Sequence, residues 1–141
     1  MKINLIYKTN KKIINPKRTQ DIITKIVKHL LKSNKNVELN FIFTDNKEIK
    51  KFNKKFLNKN YPTDILCFKY NNNCADIIIS VEQVIKNAKV LKVLPKEEFV
   101  FVIVHGVLHF KGMKDDTNKK REKMLKKGEK ILKLLKEKEM L

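Results

Sequence analysis

The stretch that most restricts the fold is residues 99–110, FVFVIVHGVLHF, which is apolar on nearly every side of a helix. Pro95, Glu97 and Glu98 precede it, and a proline followed by acids favours the first turn of a helix. Gly112 can end that helix, because glycine readily adopts the left-handed conformation found after a last turn. A helix without a polar face must be buried, so we expect the other elements to pack around it.

Strands are predicted in three places along the rest of the chain. The segments KINLIY and NVELNFIFT alternate between apolar and polar residues, which is typical of half-buried strands. Residues 64–80 contain two further runs, DILCFKY and ADIIIS, separated by the turn signal NNN. This arrangement predicts a hairpin.

Apolar spacings of three and four residues predict four amphipathic helices besides the central one. Their starts are near Pro16, Asp45, Ser80 and Thr117, where Glu48 can complete a capping box with Asp45 and Gln83 one with Ser80. The first helix extends to about Ser33, with His29 just off its apolar stripe and therefore at its surface. The residues predicted to face inward are Ile22, Ile23, Ile26, Val27, Leu30, Leu31, Ile49, Phe52, Phe56, Val81, Val84, Ile85, Ala88, Leu91, Met124, Leu125, Ile131, Leu132 and Leu135.

The resulting order is β-α-β-α-β-β-α-α-α. It predicts a single α+β domain over residues 1–141, in which a small mixed sheet of about four strands packs with about five helices.

The chain carries a net charge of +18, from 33 basic and 15 acidic residues. Such a surface attracts polyanions without regard to sequence, which indicates RNA or the ribosome as a partner. Arg18 and Arg121 are the only arginines, although arginine is the better bidentate ligand for phosphate. The abundance of Lys, Asn and Ile is also typical of an A/T-biased genome, so we do not expect every lysine to contact RNA.

Neither a membrane span nor a secretory signal is expected. The longest apolar run, residues 99–104, is far shorter than the roughly 20 residues that cross a bilayer. The first residues alternate and then turn polar, unlike a signal peptide. Cys67 and Cys74 match no zinc-ligand spacing and are expected to be buried or half-buried thiols. The expected location is the cytoplasm, with no membrane partner.

His105 and His109 lie one turn apart on the central helix, so both imidazoles can reach one ion. Hydrogen bonds within a core explain such a pair equally well. Gly112 lets the chain turn back and could bring Asp115 to a third ligand position, and three ligands with one open position are typical of catalytic zinc. Gly106 follows His105 where H-E-x-x-H metalloproteases have glutamate, which disfavours peptide hydrolysis.

Three motifs lie in order between about residues 49 and 125: NKKFLNKNYPTDILCF, ADIIISVEQVIKNA and HGVLHFKGMKDD. In order and spacing they resemble N-x-x-Y-R…T-D-V-L-S-F, G-D-I-x-I-S…A and H-G-x-L-H-L-x-G-Y-D-H of the YbeY family of ribosomal RNA maturation endoribonucleases. The resemblance implies a metal-dependent endoribonuclease with one Zn²⁺ per chain.

The resemblance also implies site residues, with two departures from the family pattern. The family's three histidine zinc ligands correspond to His105, His109 and Asp115, so an aspartate takes the third place. Asp116 is the neighbouring candidate, either as an outer acceptor or as the base that takes a proton from bound water. The family's arginine corresponds to Leu57, which cannot stabilise phosphoryl charge.

Either a nearby lysine replaces that arginine or catalysis is weak in this chain. The candidates are Lys54, Lys55 and Lys59, of which we take Lys59 together with Asp116 as the catalytic prediction.

Four polar residues of the upstream motifs remain. Thr63 and Ser80 are expected to serve in capping and turn formation. Asp64 and Asp76 flank strands, where a carboxylate is more often structural than catalytic.

The leading hypothesis is a cytoplasmic zinc-dependent endoribonuclease acting on single-stranded ribosomal RNA. The metal would activate water or the RNA 2′-hydroxyl, or polarise the phosphate. The alternative is a ribosome-associated RNA-binding factor with a structural metal and little catalysis, which the leucine at position 57 favours. A hydrolase of small or peptide substrates has only the histidine pair in its favour.

Overall fold

The computed structural model describes residues 1–32 and 36–141. Within these ranges the strands and helices follow the predicted order. They are β1 (Lys2–Tyr7), α1 (Pro16–Leu30), β2 (Glu38–Thr44), α2 (Asn46–Leu57), β3 (Ile65–Asn71), β4 (Cys74–Ser80), α3 (Val81–Leu91), α4 (Pro95–Phe110) and α5 (Asn118–Glu137). The predicted end of α1, Ser33, lies outside the described residues.

The four strands form one mixed sheet in the order β1-β2-β4-β3. β1 pairs parallel with β2, and β2 pairs parallel with β4. β3 lies at the edge and pairs antiparallel with β4, as expected for a hairpin. Five helices accompany this sheet, which confirms the prediction of one small α+β domain.

The apolar helix α4 is the centre of the packing, as its composition predicts. It contacts α1, α3, α5 and strands β3 and β4, and its residues from Val102 to Val104 and from Gly106 to Leu108 are buried. Gly106 allows the close approach to the sheet, because a Cβ there would lie 2.7 Å from Ile65 Cδ1 and 2.8 Å from Ile77 Cγ2. The close fit of α4 on the sheet therefore depends on a residue without a side chain.

The predicted helix starts are confirmed by their caps. Side chains of Asp45, Ser80 and Thr117 accept hydrogen bonds from the backbone N–H three residues on, which satisfies donors that the helix itself leaves free. Each helix therefore begins where the sequence indicates.

Four residues predicted to face inward are exposed: Phe56, Ile85, Leu91 and Leu125. Helix α3 packs through a narrow seam of Val81, Val84 and Ala88, which leaves the neighbouring stripe positions outside. On α2 and α5 the exposed residues likewise lie off the contact line, because each helix covers the core with one side only. His29 is exposed, as expected.

Within the described residues, no helix is long and apolar enough to cross a membrane.

The close packing at Gly106 generates a stability prediction. Gly106→Ala should lower the free energy of unfolding by about 1–3 kcal/mol in urea denaturation, because overpacking outweighs the gain of roughly 1 kcal/mol in helix propensity. Ile65→Val removes the Cδ1 atom that the new methyl group would meet, so the double variant should recover part of the loss. A more stable Gly106→Ala protein would contradict this account.

Candidate metal centre

The turn after α4 orients His109. The N–H of Gly112 donates to the His109 carbonyl at 2.9 Å, and the N–H of Met113 donates to the Leu108 carbonyl at 3.0 Å. This is the Schellman pairing, and Gly112 has the positive φ of 96° that the motif requires. The Met113 carbonyl lies 3.0 Å from His109 Nδ1. A carbonyl only accepts, so Nδ1–H donates and Nε2 of the neutral ring keeps its lone pair.

His105 lies one turn earlier on α4 and is half-buried. Its Nε2 atom is fully buried, with no hydrogen-bond partner among the residues that the structure describes. Burial lowers the pKa of His105, and the charge of Asp64 opposes that effect while the charge of His109 adds to it. A buried polar atom without a partner is costly, and a bound ion would satisfy it.

Asp115 and Asp116 follow in the loop between α4 and α5, and their carboxylates have different neighbours. Asp115 Oδ2 lies 3.7 Å from His109 Nε2. Asp116 Oδ1 lies 3.1 Å from Lys120 Nζ, and this hydrogen bond lowers the pKa of Asp116. Arg121 Nε donates to the backbone carbonyl of Asp115 at 3.2 Å. Asp115 is therefore the carboxylate beside a histidine, whereas Asp116 is occupied by a lysine.

The donor set of the candidate site fits zinc chemically, although the three side chains do not converge on one point. Two imidazole nitrogens and a carboxylate oxygen are ligands that zinc accepts, and a metal would satisfy the buried Nε2 of His105, which has no partner within residues 1–32 and 36–141. Across residues 1–32 and 36–141, no group of three His, Cys, Asp or Glu side chains is arranged to hold a metal ion. The side chain of Asp115 is 48% exposed, so its carboxylate is the least enclosed of the three candidate ligands.

A buried acid, Glu98, was not predicted to belong to this region. It lies seven residues before His105 on α4, and therefore on the same side of the helix. Burial raises the pKa of Glu98 to about 7, and the charge of Asp64 adds to the effect. Asn87 Nδ2 donates to Asp64 Oδ2 at 3.4 Å. The sequence shows Glu98 only as a first-turn acid, but its spacing from the histidines was a signal that could have placed it here.

An open cleft of about 410 Å³ lies beside His109. It is lined by Leu57, Ile65, Leu66, Cys67, Phe68, Lys69, His109, Gly112, Met113 and Lys114. Leu57 thus faces the same cleft as the histidine. Lys59 is exposed and is not among the described residues that line this cleft, so its catalytic role stays a prediction.

The two cysteines are free and half-buried, as expected. Burial raises the pKa of Cys67 to about 11. The thiol in the cleft wall is therefore protonated at neutral pH and is a poor nucleophile.

Comparison with known proteins identifies the family. The model of the Endoribonuclease YbeY family matches residues 4–136. The chain belongs to this family. It is 36% identical over 128 residues to Endoribonuclease YbeY of Petrotoga mobilis, covering 89% of this chain and 88% of the relative. The enzyme of the same name from Flavobacterium johnsoniae is 37% identical, with 92% and 94% covered. That of Karelsulcia muelleri is 40% identical, with 72% and 74% covered.

A solved structure agrees on the fold. The solution structure of a Thermotoga maritima protein superposes with a TM-score of 0.66 at 23% identity, covering 98% of this chain and 94% of that one. The YbeY membership confirms the resemblance found in the sequence, and with it the prediction of an enzyme of the endoribonuclease class.

Two further residues of the YbeY-like motifs have structural partners. Asp76 accepts hydrogen bonds from Tyr70 Oη at 2.5 Å and from Asn40 Nδ2 at 2.9 Å, across neighbouring strands. Ser80 caps α3, and its hydroxyl donates to Asn46 Oδ1 at 2.7 Å. These contacts agree with the structural roles expected for both residues.

The environment of Glu98 predicts a pH dependence of stability. The pKa of Glu98 is about 7 in the folded protein against 4.5 ordinarily, so the folded state binds the extra proton between these values. Wild-type stability should therefore fall as the pH rises through this window. Glu98→Gln should remove about 2–3 kcal/mol of that fall, measured by urea unfolding of EDTA-treated protein at pH 4.5 and 8.

Glu97→Gln is the matched control, because it changes the adjacent carboxyl, which pairs with Lys136 at 3.0 Å. The account of Glu98 is wrong if both variants keep the wild-type pH profile.

Proposed function

We propose that this chain is a zinc-dependent endoribonuclease that cleaves single-stranded ribosomal RNA in the cytoplasm during ribosome maturation. The family supports the endoribonuclease role. The observation that carries the proposal for the metal is the histidine pair. The bond from Nδ1 to the Met113 carbonyl leaves the lone pair of His109 Nε2 available, and Asp115 Oδ2 lies 3.7 Å from that Nε2 atom. One turn earlier, the buried Nε2 of His105 has no hydrogen-bond partner among the residues described by the structure.

His105, His109 and Asp115 would hold the zinc. Bound there, zinc supplies Lewis acidity to a phosphate oxygen and lowers the pKa of a water. The Met113 carbonyl fixes the ring of His109 and its tautomer, which is the usual role of an outer partner. The hydrogen bond from Lys120 lowers the pKa of Asp116 and so weakens it as a base, and Asp116 would accept a proton after it parts from Lys120. Lys59 would contact the RNA backbone.

The basic surface supports a polyanionic substrate. A second cleft, of about 450 Å³, is lined by His29, Leu30, Lys32, Lys111, Lys127, Lys130 and Ile131. Its four lysines offer phosphate groups a continuous positive surface. Lys111 immediately precedes Gly112 of the cleft beside His109, so one strand could follow both clefts. Ribosomal particles are the proposed partner because their RNA presents negatively charged phosphates to this basic surface.

A second candidate function is a ribosome-associated RNA-binding factor with a structural metal and little catalysis. One observation favours it: Leu57 lines the cleft beside His109, where an apolar side chain cannot stabilise developing phosphoryl charge. The two candidates differ in whether metal-loaded protein cuts RNA.

The metal proposal predicts that purified protein binds about one zinc and cleaves single-stranded RNA. His105→Ala and His109→Ala should each lose at least tenfold in zinc affinity and lose detectable cleavage. Metal content by mass spectrometry and cleavage of a labelled RNA are measured on the same samples. His29→Ala is the matched control for the zinc measurement, because replacing this exposed third histidine should leave the zinc affinity unchanged.

Full zinc without cleavage, even after Leu57→Arg, would support the binding-factor candidate. Absence of zinc from every preparation, including protein reconstituted with zinc, would contradict the metal site.

The positions of the two aspartates predict different effects of the same substitution. Asp115→Asn should weaken zinc binding, because it removes a ligand charge beside His109. Asp116→Asn should keep the zinc and lower the cleavage rate about 10²–10⁴-fold, as loss of a general base does. Zinc titration and single-turnover cleavage separate the two. Loss of zinc in Asp116→Asn alone would reverse the assignment.

A further inference from the structure

Phe52, Phe56 and Phe68 form an aromatic ledge at the rim of the cleft beside His109. The rings of Phe52 and Phe56 stack with centroids 6.2 Å apart and planes at 12°. Phe56 then meets Phe68 edge-on at 5.1 Å, and Phe68 lines the cleft. Phe56 nevertheless leaves 54% of its surface in water. Phe68 is therefore the ring of the ledge that the cleft reaches, and Phe56 supports it from the exposed side.

The cleft next to the ledge has an apolar interior and a basic rim. Leu57, Ile65, Leu66 and Met113 supply apolar wall, and Lys69 and Lys114 stand among them. Leu57 alone is 48% exposed. A volume of about 410 Å³ falls within the range of small-ligand pockets. An apolar cleft with cations at its edge is complementary to a molecule in which a flat ring is linked to a phosphate, as in a nucleotide.

The charges around the ledge identify the class of occupant. Lys55 Nζ lies 5.3 Å from the centroid of Phe56, and Lys69 Nζ lies 5.2 Å from that of Phe110. Phe110 is buried and lies outside the ledge, but Lys69 itself lines the cleft, and Lys55 adds a second cation at the ledge. Aromatic rings alternating with lysines are the arrangement by which proteins bind single strands, with bases stacked on rings and phosphates on cations.

We propose that the cleft beside His109 is a subsite for one unpaired nucleobase of the RNA strand, which stacks against Phe68, the ring of the ledge that lines the cleft and that Phe56 supports, while Lys69 and Lys114 hold its phosphates. This inference rests on the proposed function, since it places that base next to the histidine pair. A base held in a duplex cannot leave its partner and its stack to enter, so the subsite gives a physical reason for acting on single strands. Stacking on a ring accepts every base, so the subsite is tolerant of sequence.

Binding of a fluorescent RNA tests the subsite without cleavage. The probe is a uridine octamer with one internal 2-aminopurine, whose fluorescence falls when the base stacks. Full-length protein is kept metal-free with EDTA. Phe56→Ala removes the ring that supports Phe68, so this variant should bind about five- to a hundredfold more weakly, the range of one lost stacking contact, and should lose the quenching. Phe56→Tyr keeps the ring and should retain both.

Salt dependence separates stacking from charge. Phe56→Ala should leave the slope of affinity against salt unchanged, whereas Lys69→Ala and Lys114→Ala should each reduce it by about 0.7. Leu57→Ala removes part of the apolar wall of the cleft and should weaken RNA binding. Leu125→Ala, which removes a leucine of matching exposure (47%) on α5, is its control and should not.

Each outcome bears on one claim. Wild-type affinity and quenching in Phe56→Ala would overturn the base subsite, as would equal losses in Leu57→Ala and Leu125→Ala. If the zinc-loaded Phe56→Ala variant cleaves RNA as fast as the zinc-loaded wild type, the subsite is contradicted and the proposed function stands. Protein that stacks the base but cuts nothing would support the subsite and contradict the proposed function.

Discussion

The burial of α4 against the sheet is the constraint on which the rest of the structure depends. A helix that is apolar on nearly every side has to be enclosed, and strands β3 and β4 with α1, α3 and α5 enclose it. The contact is closest at Gly106, where the sheet leaves no room for a side chain. Since His105 directly precedes this glycine, the packing that stabilises the core also fixes where the candidate metal ligand stands.

The element order and the central position of α4 follow from the sequence because long periodic patterns and caps are local signals. The sequence does not show which residues of each apolar helix stripe are buried in the folded protein. Phe56 and Leu91 have the spacing of buried positions, yet both are exposed. The width of each helix contact depends on how neighbouring elements cross, and spacing along one helix carries no information about that crossing. The exposure of Phe56 is informative in its own right, because it places one ring of the aromatic ledge at the surface.

Part of the candidate site could likewise be predicted from the sequence. His105, His109 and the turn at Gly112 could be read directly, because a helix and its ending fix their relative positions. The burial of Glu98 and its proximity to Asp64 could not be predicted, because the connection between α2 and β3, which carries Asp64, reaches α4 only in the folded chain. The difference in surroundings between Asp115 and Asp116 likewise arises from the first turn of α5, where Lys120 stands.

The pairing of Asp116 with Lys120 has a consequence for the loop that precedes α5. This exposed ion pair and the bond from Arg121 to Asp115 tie one end of the loop to a helix, while the turn at Gly112 ties the other. Little conformational entropy is then left to lose when the loop closes. If Asp115 is the third ligand, as we propose, two surface cations that bind no metal influence how readily it engages, and screening by salt would weaken that influence.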